Sequence, residues 1–312
     1  MNRRQFLETS CLAGLGLAAG VPQARAQAAE TGAKRGSKGI MEYVFFSKTL
    51  KGQSIEQMIE SVKRLGADGF DLTVRPGYAV NPDNVADALV PAAEKIRAAG
   101  LSVPMISTPT SLNDPSDPSV EPIFRACGEA KVGLVKIGYW KFRGEGYWKA
   151  VDGMKKDVEG FARIGARYGA KPCLHTHSGT NLALNASALM HVLKDFDPEQ
   201  VGAYLDAGHL SVCGEPLPMA LDMVADWLAI VAVKDMLKEK RDDGSVRKRT
   251  LPVGQGTVEW RPMMAWLVEH DFPGPLSFHS EFQAESLEQR IELTSKEIAY
   301  LRAMEQELRA KA

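Results

Sequence analysis

The sequence predicts an α/β chain folded as a single-domain (β/α)8 TIM barrel. Three observations carry that expectation. Strand-like and helix-like segments alternate along most of the chain, their pairs number eight, and ionisable residues gather where the strand-like segments end. Strict alternation gives a parallel sheet covered by helices, and eight repeats favour closure into a barrel with its site at the C-terminal strand ends. An open doubly wound sheet is the alternative. It calls for a glycine-rich dinucleotide loop after the first strand, and FFSKTLKGQS at residues 45–54 has no GxGxxG. No nucleotide cofactor is therefore expected.

The elements follow in order. Met41–Phe46 reads as a strand, and Ser54 caps a helix whose Ile55, Met58, Ile59, Val62 and Leu65 share one face at helical spacing. Gly69–Val74, Leu101–Ser107 and Val132–Gly138 are the next strands, followed in turn by helices Val85–Ala99, Glu121–Ala130 and Lys149–Tyr168. The second half repeats the rhythm with strands Lys171–His175, Val201–Asp206, Leu228–Lys234 and Pro275–His279. Its helices are Ser187–Phe196, Pro218–Trp227, Glu259–His270 and a last one from about residue 284 to 308, with Leu287, Ile291, Ile298 and Leu301 on one stripe. The charged stretch Lys238–Arg249 reads as a solvated loop or a lid.

Residues 1–26 are set apart from this pattern. RRQFL, an apolar run from Cys11 to Val21, and Ala24-Arg25-Ala26 form a twin-arginine export signal with a small-residue cleavage site. The apolar run falls short of the ~20 residues that span a bilayer. Residues 27–39 form a leader and 40–312 the barrel, so the expected location is periplasmic or secreted, with no membrane contact after cleavage. The whole chain carries 38 basic and 39 acidic residues. Cleavage removes Arg3, Arg4, Arg25 and Glu8, leaving it more acidic, which argues against a nucleic-acid partner. Cys127, Cys173 and Cys213 are far apart and form no CxxC, so they read as core residues.

Four of the six histidines lie in three short motifs at strand ends: His175 and His177 in CLHTHSGT, His209 in YLDAGHL, and His279 in LSFHSEF. Alternate strand residues point into a barrel. The mouth therefore gathers Asp71, Lys136, His175, His177, Asp206, His209, Lys234, His279 and Glu281. Imidazole beside carboxylate is both a ligand set for a divalent metal and equipment for moving protons. Tyr139, Trp140, Phe142, Tyr147 and Trp148 crowd the loop after the fourth strand, where aromatic faces could stack on a sugar or pack the loop onto the rim. Asp71, Tyr139 and Trp140 are taken as substrate-binding candidates.

LDAGH, VKD at the seventh strand, PVGQGTVEW and GPLSFHSEF together resemble the xylose isomerase-like sugar isomerase/epimerase superfamily, and HTHSGT resembles the matching segment of inosose dehydratases. The resemblance runs from Met41 to Leu308. It implies one divalent metal held by Glu, Asp, His or Gln, and Glu from the fifth to eighth strands, a small carbohydrate or polyol as substrate, and a homo-oligomer. Asp206 matches the family Asp, and His209 matches a histidine that contacts substrate. His175 stands in place of the fifth-strand Glu, Ala232 in place of the seventh-strand ligand, and His279 in place of the eighth-strand Glu.

Two arrangements follow from this partial match. In one, His175, Asp206 and His279 hold Mn, Co or Zn. In the other, the metal is lost and the histidines act alone as acid and base. The family chemistry removes a proton beside a carbonyl, with Glu281 or a histidine such as His177 as base, His209 orienting the substrate, and Lys136 or Lys234 facing the oxyanion. Isomerisation and epimerisation both use that step. So does elimination from a keto-cyclitol or keto-glycoside, and a non-catalytic periplasmic sugar-binding barrel is a further alternative.

Overall fold

Eight parallel strands close on themselves in the computed structural model, which describes residues 40–311. The export signal read at residues 1–26 and the leader up to residue 39 lie outside the described residues. The strands are β1 Tyr43–Phe46, β2 Gly69–Thr73, β3 Ser102–Ser107, β4 Leu134–Lys136, β5 Lys171–His175, β6 Gly202–Asp206 and β7 Leu228–Val233. A hairpin of β8 Asp235–Lys240 and β9 Val246–Leu251 then leaves the barrel, and β10 Leu276–Phe278 closes it between β7 and β1. Around the barrel lie α1 Ile55–Leu65, α2 Val85–Ala98, α3 Val120–Glu129, α4 Tyr147–Tyr168, α5 Ala186–Leu193, α6 Ala207–Cys213, α7 Leu217–Met223, α8 Trp260–Glu269 and α9 Leu287–Arg309.

Local sequence explains these boundaries. Ser54 and Gln57 form a reciprocal capping box at the start of α1, and Gly66 ends it in the left-handed conformation. Along β6, Ala203 and Leu205 join the layer between sheet and helices, while Tyr204 belongs to a separate cluster with Met105, Cys173, Ile230 and Ala232. That second cluster fills the lumen, as the period-2 alternation of barrel strands requires. Its upward continuation on the same inward rows places Asp71, Lys136, His175, Asp206 and His279 at the C-terminal end.

Three details depart from the sequence reading. Lys238–Arg249 is an antiparallel ribbon with Asp235 opposite Leu251 and Lys240 opposite Val246. It turns at Asp243-Gly244, where Gly244 has φ 80°. The expected loop is a hairpin arm because its backbone is paired even though its side chains stay in solvent. A short helix, α6, follows β6 where none was expected. In α9, Ile291, Ile298 and Leu301 are buried as expected, but Leu287 is exposed, since Ser286 caps the helix at its solvent end.

The VKD and VGQG motifs are joined by one carboxylate. Asp235 accepts bonds from the backbone N–H groups of Gly254 (2.8 Å), Gly256 (3.1 Å) and Val258 (3.2 Å) and from Trp260 Nε1 (3.1 Å). A Cβ on Gly256 would lie 2.1 Å from Asp235 Oδ1, so only glycine admits this close approach. Glu297 on α9 then pins the same loop to the strand end, accepting from Val253 N at 2.9 Å and Ser280 Oγ at 2.7 Å.

Burial raises the Glu297 carboxyl from 4.5 to about 7, with its two hydrogen bonds opposing. The folded chain thus holds a proton that the unfolded chain releases across that window. This contribution is fully present below pH 4.5 and lost as pH rises through about 7. Urea denaturation across this range should show stability falling by up to about 1.4 kcal/mol per pH unit from this group. Glu297→Gln should flatten that dependence, and an unchanged slope in the variant would refute the assignment.

Candidate active site and metal centre

Asp206 ends β6 and caps α6, its Oδ1 accepting from His209 N at 3.0 Å. Its backbone N–H donates to Thr176 Oγ1 at 2.8 Å, which fixes the strand end. A Cβ on Gly208, in the same LDAGH motif, would lie 2.7 Å from Lys234 O and 2.8 Å from Met236 Cγ. Any side chain there would push α6 off the seventh strand end. The motif is therefore a strand, a cap and a close-packed turn in sequence.

Asp206 Oδ2 faces inward without a hydrogen-bond partner, and so do His175 Nε2, His209 Nε2 and His279 Nδ1. Oδ2 lies 3.4 Å from His175 Nε2 and 3.9 Å from both His209 Nε2 and His279 Nδ1. Ligand atoms of His175, Asp206 and His279 all fall within 4.8 Å of one another, and all three residues are buried. Four buried polar atoms aimed at one point without partners are costly as they stand. Two imidazole nitrogens and a carboxylate oxygen are a donor set that suits a divalent metal. The residues fit the group.

The rings are held from behind. Tyr139 Oη lies 2.7 Å from His175 Nδ1, and Tyr204 Oη lies 2.8 Å from His279 Nε2. Tyr204 also donates to Asp71 Oδ2 at 3.0 Å, and Ser277 Oγ donates to the same oxygen at 2.8 Å. A hydroxyl that donates to Asp71 can accept from His279 Nε2–H, leaving Nδ1 with its lone pair toward the centre. Ser178 Oγ is 2.9 Å from His209 Nδ1 and receives Lys248 Nζ of the hairpin arm at 3.0 Å. Such partners set ring plane and tautomer for a ligating or proton-moving histidine.

Electrostatics divide the remaining groups. Lys234 Nζ lies 2.6 Å from Glu281 Oε2 and 3.4 Å from Asp206 Oδ2. Burial would lower the Lys234 ammonium, but the two carboxylates outweigh it and raise it. Burial likewise opposes ionisation of Asp206, yet Lys234, His209 and His175 hold it well below the carboxylate range. Glu281 is held far lower than usual against its burial, by His279, Lys234 and Lys48, so it is a firmly ionised and weak proton acceptor. Burial pushes His175 well down, and His209 to about 3, leaving both imidazoles neutral near pH 7. His177, partly exposed, lies tilted against His209 with ring centroids 3.8 Å apart and is lowered by burial and by Lys234.

Other residues expected in the mouth divide differently. Tyr139, Lys136, His177, Lys234 and Glu281 line one open cavity together with Lys48, Arg75 and Thr110. Asp71 lies one layer below it, fully buried beneath Tyr204, where burial raises its carboxyl. It supports His279 through Tyr204 rather than reaching the cavity. Trp140 is not part of this mouth either: it is 9% exposed, donates from Nε1 to Asp157 and packs edge-on to Phe161 of α4. Trp148 stays 61% exposed, edge-on to Tyr147 and His191 at the outer rim. Sequence reasoning passed over Tyr204, Ser178, Lys48 and Arg75. Tyr204 reads as a core aromatic in mid-strand, while Arg75 and Lys48 sit just beyond strand ends, where charges usually meet solvent.

Lys136 is 2% exposed, its Nζ has no hydrogen-bond partner and lies 3.9 Å from the Tyr139 ring centroid. Burial, with Arg75 next, pushes its ammonium well below the usual lysine range. The cation expected there is an amine until an anion faces it.

Comparison with known proteins bears on the whole arrangement. The xylose isomerase-like TIM barrel family matches residues 59–304, and the chain belongs to that family. An inosose dehydratase of Lactiplantibacillus plantarum is 24% identical over 143 residues, a match spanning 43% of this chain and 47% of that protein. The apo 3-keto-D-glucoside 4-epimerase YcjR of E. coli superposes with TM-score 0.67 at 15% identity, covering 85% of this chain and 100% of its own. The IOLI protein with a bound zinc atom gives TM-score 0.68 at 14% identity, over 84% and 98% of the two chains. At these identities the solved structures share the fold.

An unpaired buried amine destabilises its surroundings, so Lys136→Met should raise unfolding stability by about 1–3 kcal/mol. Chemical denaturation checks this; a loss of stability would mean that Lys136 has a partner in the folded protein.

Proposed function

We propose that this member of the xylose isomerase-like TIM barrel family is a sugar isomerase or epimerase that removes a proton beside a carbonyl of a carbohydrate or polyol. The observation that carries the reading is the convergence of His175 Nε2, Asp206 Oδ2, His209 Nε2 and His279 Nδ1, buried and without hydrogen-bond partners, on one point at the barrel mouth. His175, Asp206 and His279 would hold one Zn, Mn or Co ion. When bound, such an ion supplies a Lewis acid to the oxygens flanking the C–H bond that breaks.

The protein side chains divide the remaining work. His177 lines the cavity as a neutral imidazole and takes the proton. Lys234, an ammonium held between Asp206 and Glu281, faces the developing oxyanion. His209, braced by Ser178, orients the reacting hydroxyl or carbonyl. Returning the proton to the neighbouring carbon is isomerisation, and returning it to the opposite face of the same carbon is epimerisation. A second reading is elimination, in which the carbon that lost its proton expels hydroxide or an alkoxide from the next carbon. The local similarity to an inosose dehydratase supports it. We also infer that the enzyme acts after export, on the strength of RRQFL and Ala24-Arg25-Ala26.

Elemental analysis of purified protein should find near-stoichiometric Zn, Mn or Co, lost in both His175→Ala and Asp206→Ala. Protein that takes up none of these ions even in excess would end the metal reading. Incubated in D2O with keto-sugars, the enzyme should place deuterium at the carbon beside the carbonyl, and His177→Ala should slow this about 10²–10⁴-fold with metal retained. Exchange at the wild-type rate in that variant would remove His177 as the base. Release of water or an aglycone during exchange would select elimination.

A further inference from the structure

The cavity has two electrostatically different halves. On the side of β5 to β10, Asp206 and Glu281 are matched by Lys234, and Lys48 also pairs with Glu281. On the side of β2 to β4, the lining residues are Arg75, Ser107, Thr110, Lys136 and Tyr139. Among the described residues lining the cavity, Glu281 is the one carboxylate, and it is engaged by two lysines.

Arg75 is held in place by two contacts. Its Nε donates to Thr108 O at 2.9 Å, and its guanidinium carbon lies 5.3 Å from the Phe46 ring centroid. Its terminal nitrogens make no hydrogen bond to the described residues, which leaves the outer edge of the fork free. A planar fork with a free edge is the geometry that binds an oxyanion through two parallel bonds. Beside it, Lys136 Nζ is buried and without a hydrogen-bond partner, with Arg75, Lys48 and Lys234 opposing its charge and Asp71 favouring it. Asp71 already accepts from Tyr204 and Ser277. A buried, unpartnered amine that a facing anion would protonate and a preset guanidinium thus stand on one wall, with no described carboxylate hydrogen-bonded to either.

We propose that Arg75 and Lys136 form an oxyanion subsite, and that the substrate is a sugar acid whose carboxylate seats there while its reacting carbon faces His177 and the metal-binding residues. The hydroxyls of Ser107 and Thr110 add polar contacts on the same wall. The proposal rests on the proton-abstraction reading for the location of the reacting carbon, but the subsite itself is a matter of binding. It commits the substrate to an orientation, with its anionic end toward β2–β4. It also gives Lys136 a charge partner that the protein withholds.

Isothermal titration of the metal-loaded, signal-free protein tests it with matched pairs: D-glucuronate against D-glucose and D-galacturonate against D-galactose, with glucose 6-phosphate as a third arm. The uronate of at least one pair should bind about tenfold or more tightly than its neutral partner, as a charge-assisted contact requires. In Arg75→Gln and Lys136→Met the ratio should fall toward one, with metal content unchanged. Tighter binding of glucose 6-phosphate than of either uronate, lost in the same variants, keeps the subsite and makes phosphate its anion, overturning the sugar-acid assignment. Neutral sugars binding as well as every anion, no binding of any anion, or discrimination that survives both substitutions would overturn the subsite. Deuterium exchange is read separately: discrimination without exchange removes the proton-abstraction reading and leaves the subsite standing, and exchange without discrimination does the reverse.

Discussion

The Asp206 carboxylate is the interaction on which this active-site architecture depends. It is fully buried and ionised, and it acts in two directions. Oδ1 caps a helix and so fixes the backbone on which His209 rides, while Oδ2 meets three imidazoles and an ammonium within 3.9 Å. A lone buried carboxylate would take up a proton to avoid the cost of its charge. Here Lys234 keeps it charged, and Lys234 is itself kept charged by Glu281. Charge on each member of the chain is conditional on the next. That coupling turns residues from β5, β6, the end of β7 and the end of β10 into one unit.

Precision in this unit comes from residues that never enter the cavity. Tyr139 and Tyr204 hold the two ligand-like histidines, and Asp71 with Ser277 holds Tyr204. On the outer side, Asp235 gathers the VGQG backbone and Glu297 ties that loop to Ser280, the residue after His279. These are networks in which nearly every member has a partner, as a buried polar network must to be tolerated. At the cavity, by contrast, five unpartnered atoms stand together, on Lys136, His175, Asp206, His209 and His279. Their clustering separates the binding site from the scaffold more sharply than burial does, since both are equally buried.

Much of this was legible in the sequence, for a physical reason. Barrel strands alternate, and their C-terminal ends converge, so an ionisable residue on an inward row has only one place to go. His175, Asp206, His279 and Lys136 were readable on that ground alone. The hairpin was not, because β8 and β9 bury almost no apolar surface and carry no alternation for the eye to follow; only Asp243-Gly244 marked the turn. Trp140 was read as part of an aromatic platform with its neighbours. One indole hydrogen bond to Asp157 and an edge-on contact with Phe161 turn it inward, and no local pattern announces either. Tyr204 was invisible for the opposite reason: a tyrosine between Ala203 and Leu205 is what an ordinary core strand looks like. Its hydroxyl matters only because Asp71 and His279 arrive from strands far away in sequence.

The placement of histidine where the family resemblance implies glutamate also changes what the site can do. A carboxylate brings charge and basicity together. Here the two are separated: Asp206 and Glu281 are held firmly ionised, while burial keeps His175 and His209 neutral, with uncharged nitrogens to offer a metal or a substrate hydroxyl. With two carboxylates already partnered by Lys234, the mouth carries less negative charge than a centre with an acidic residue at each position would. A divalent ion would then be held by a less anionic donor set and would remain the stronger electrophile toward a substrate oxygen. The same substitution lowers the electrostatic barrier to a negatively charged substrate, since fewer carboxylates stand against it. The histidine-rich half of the mouth and the wall of Arg75 and Lys136 opposite it thus act in the same direction on an anionic substrate.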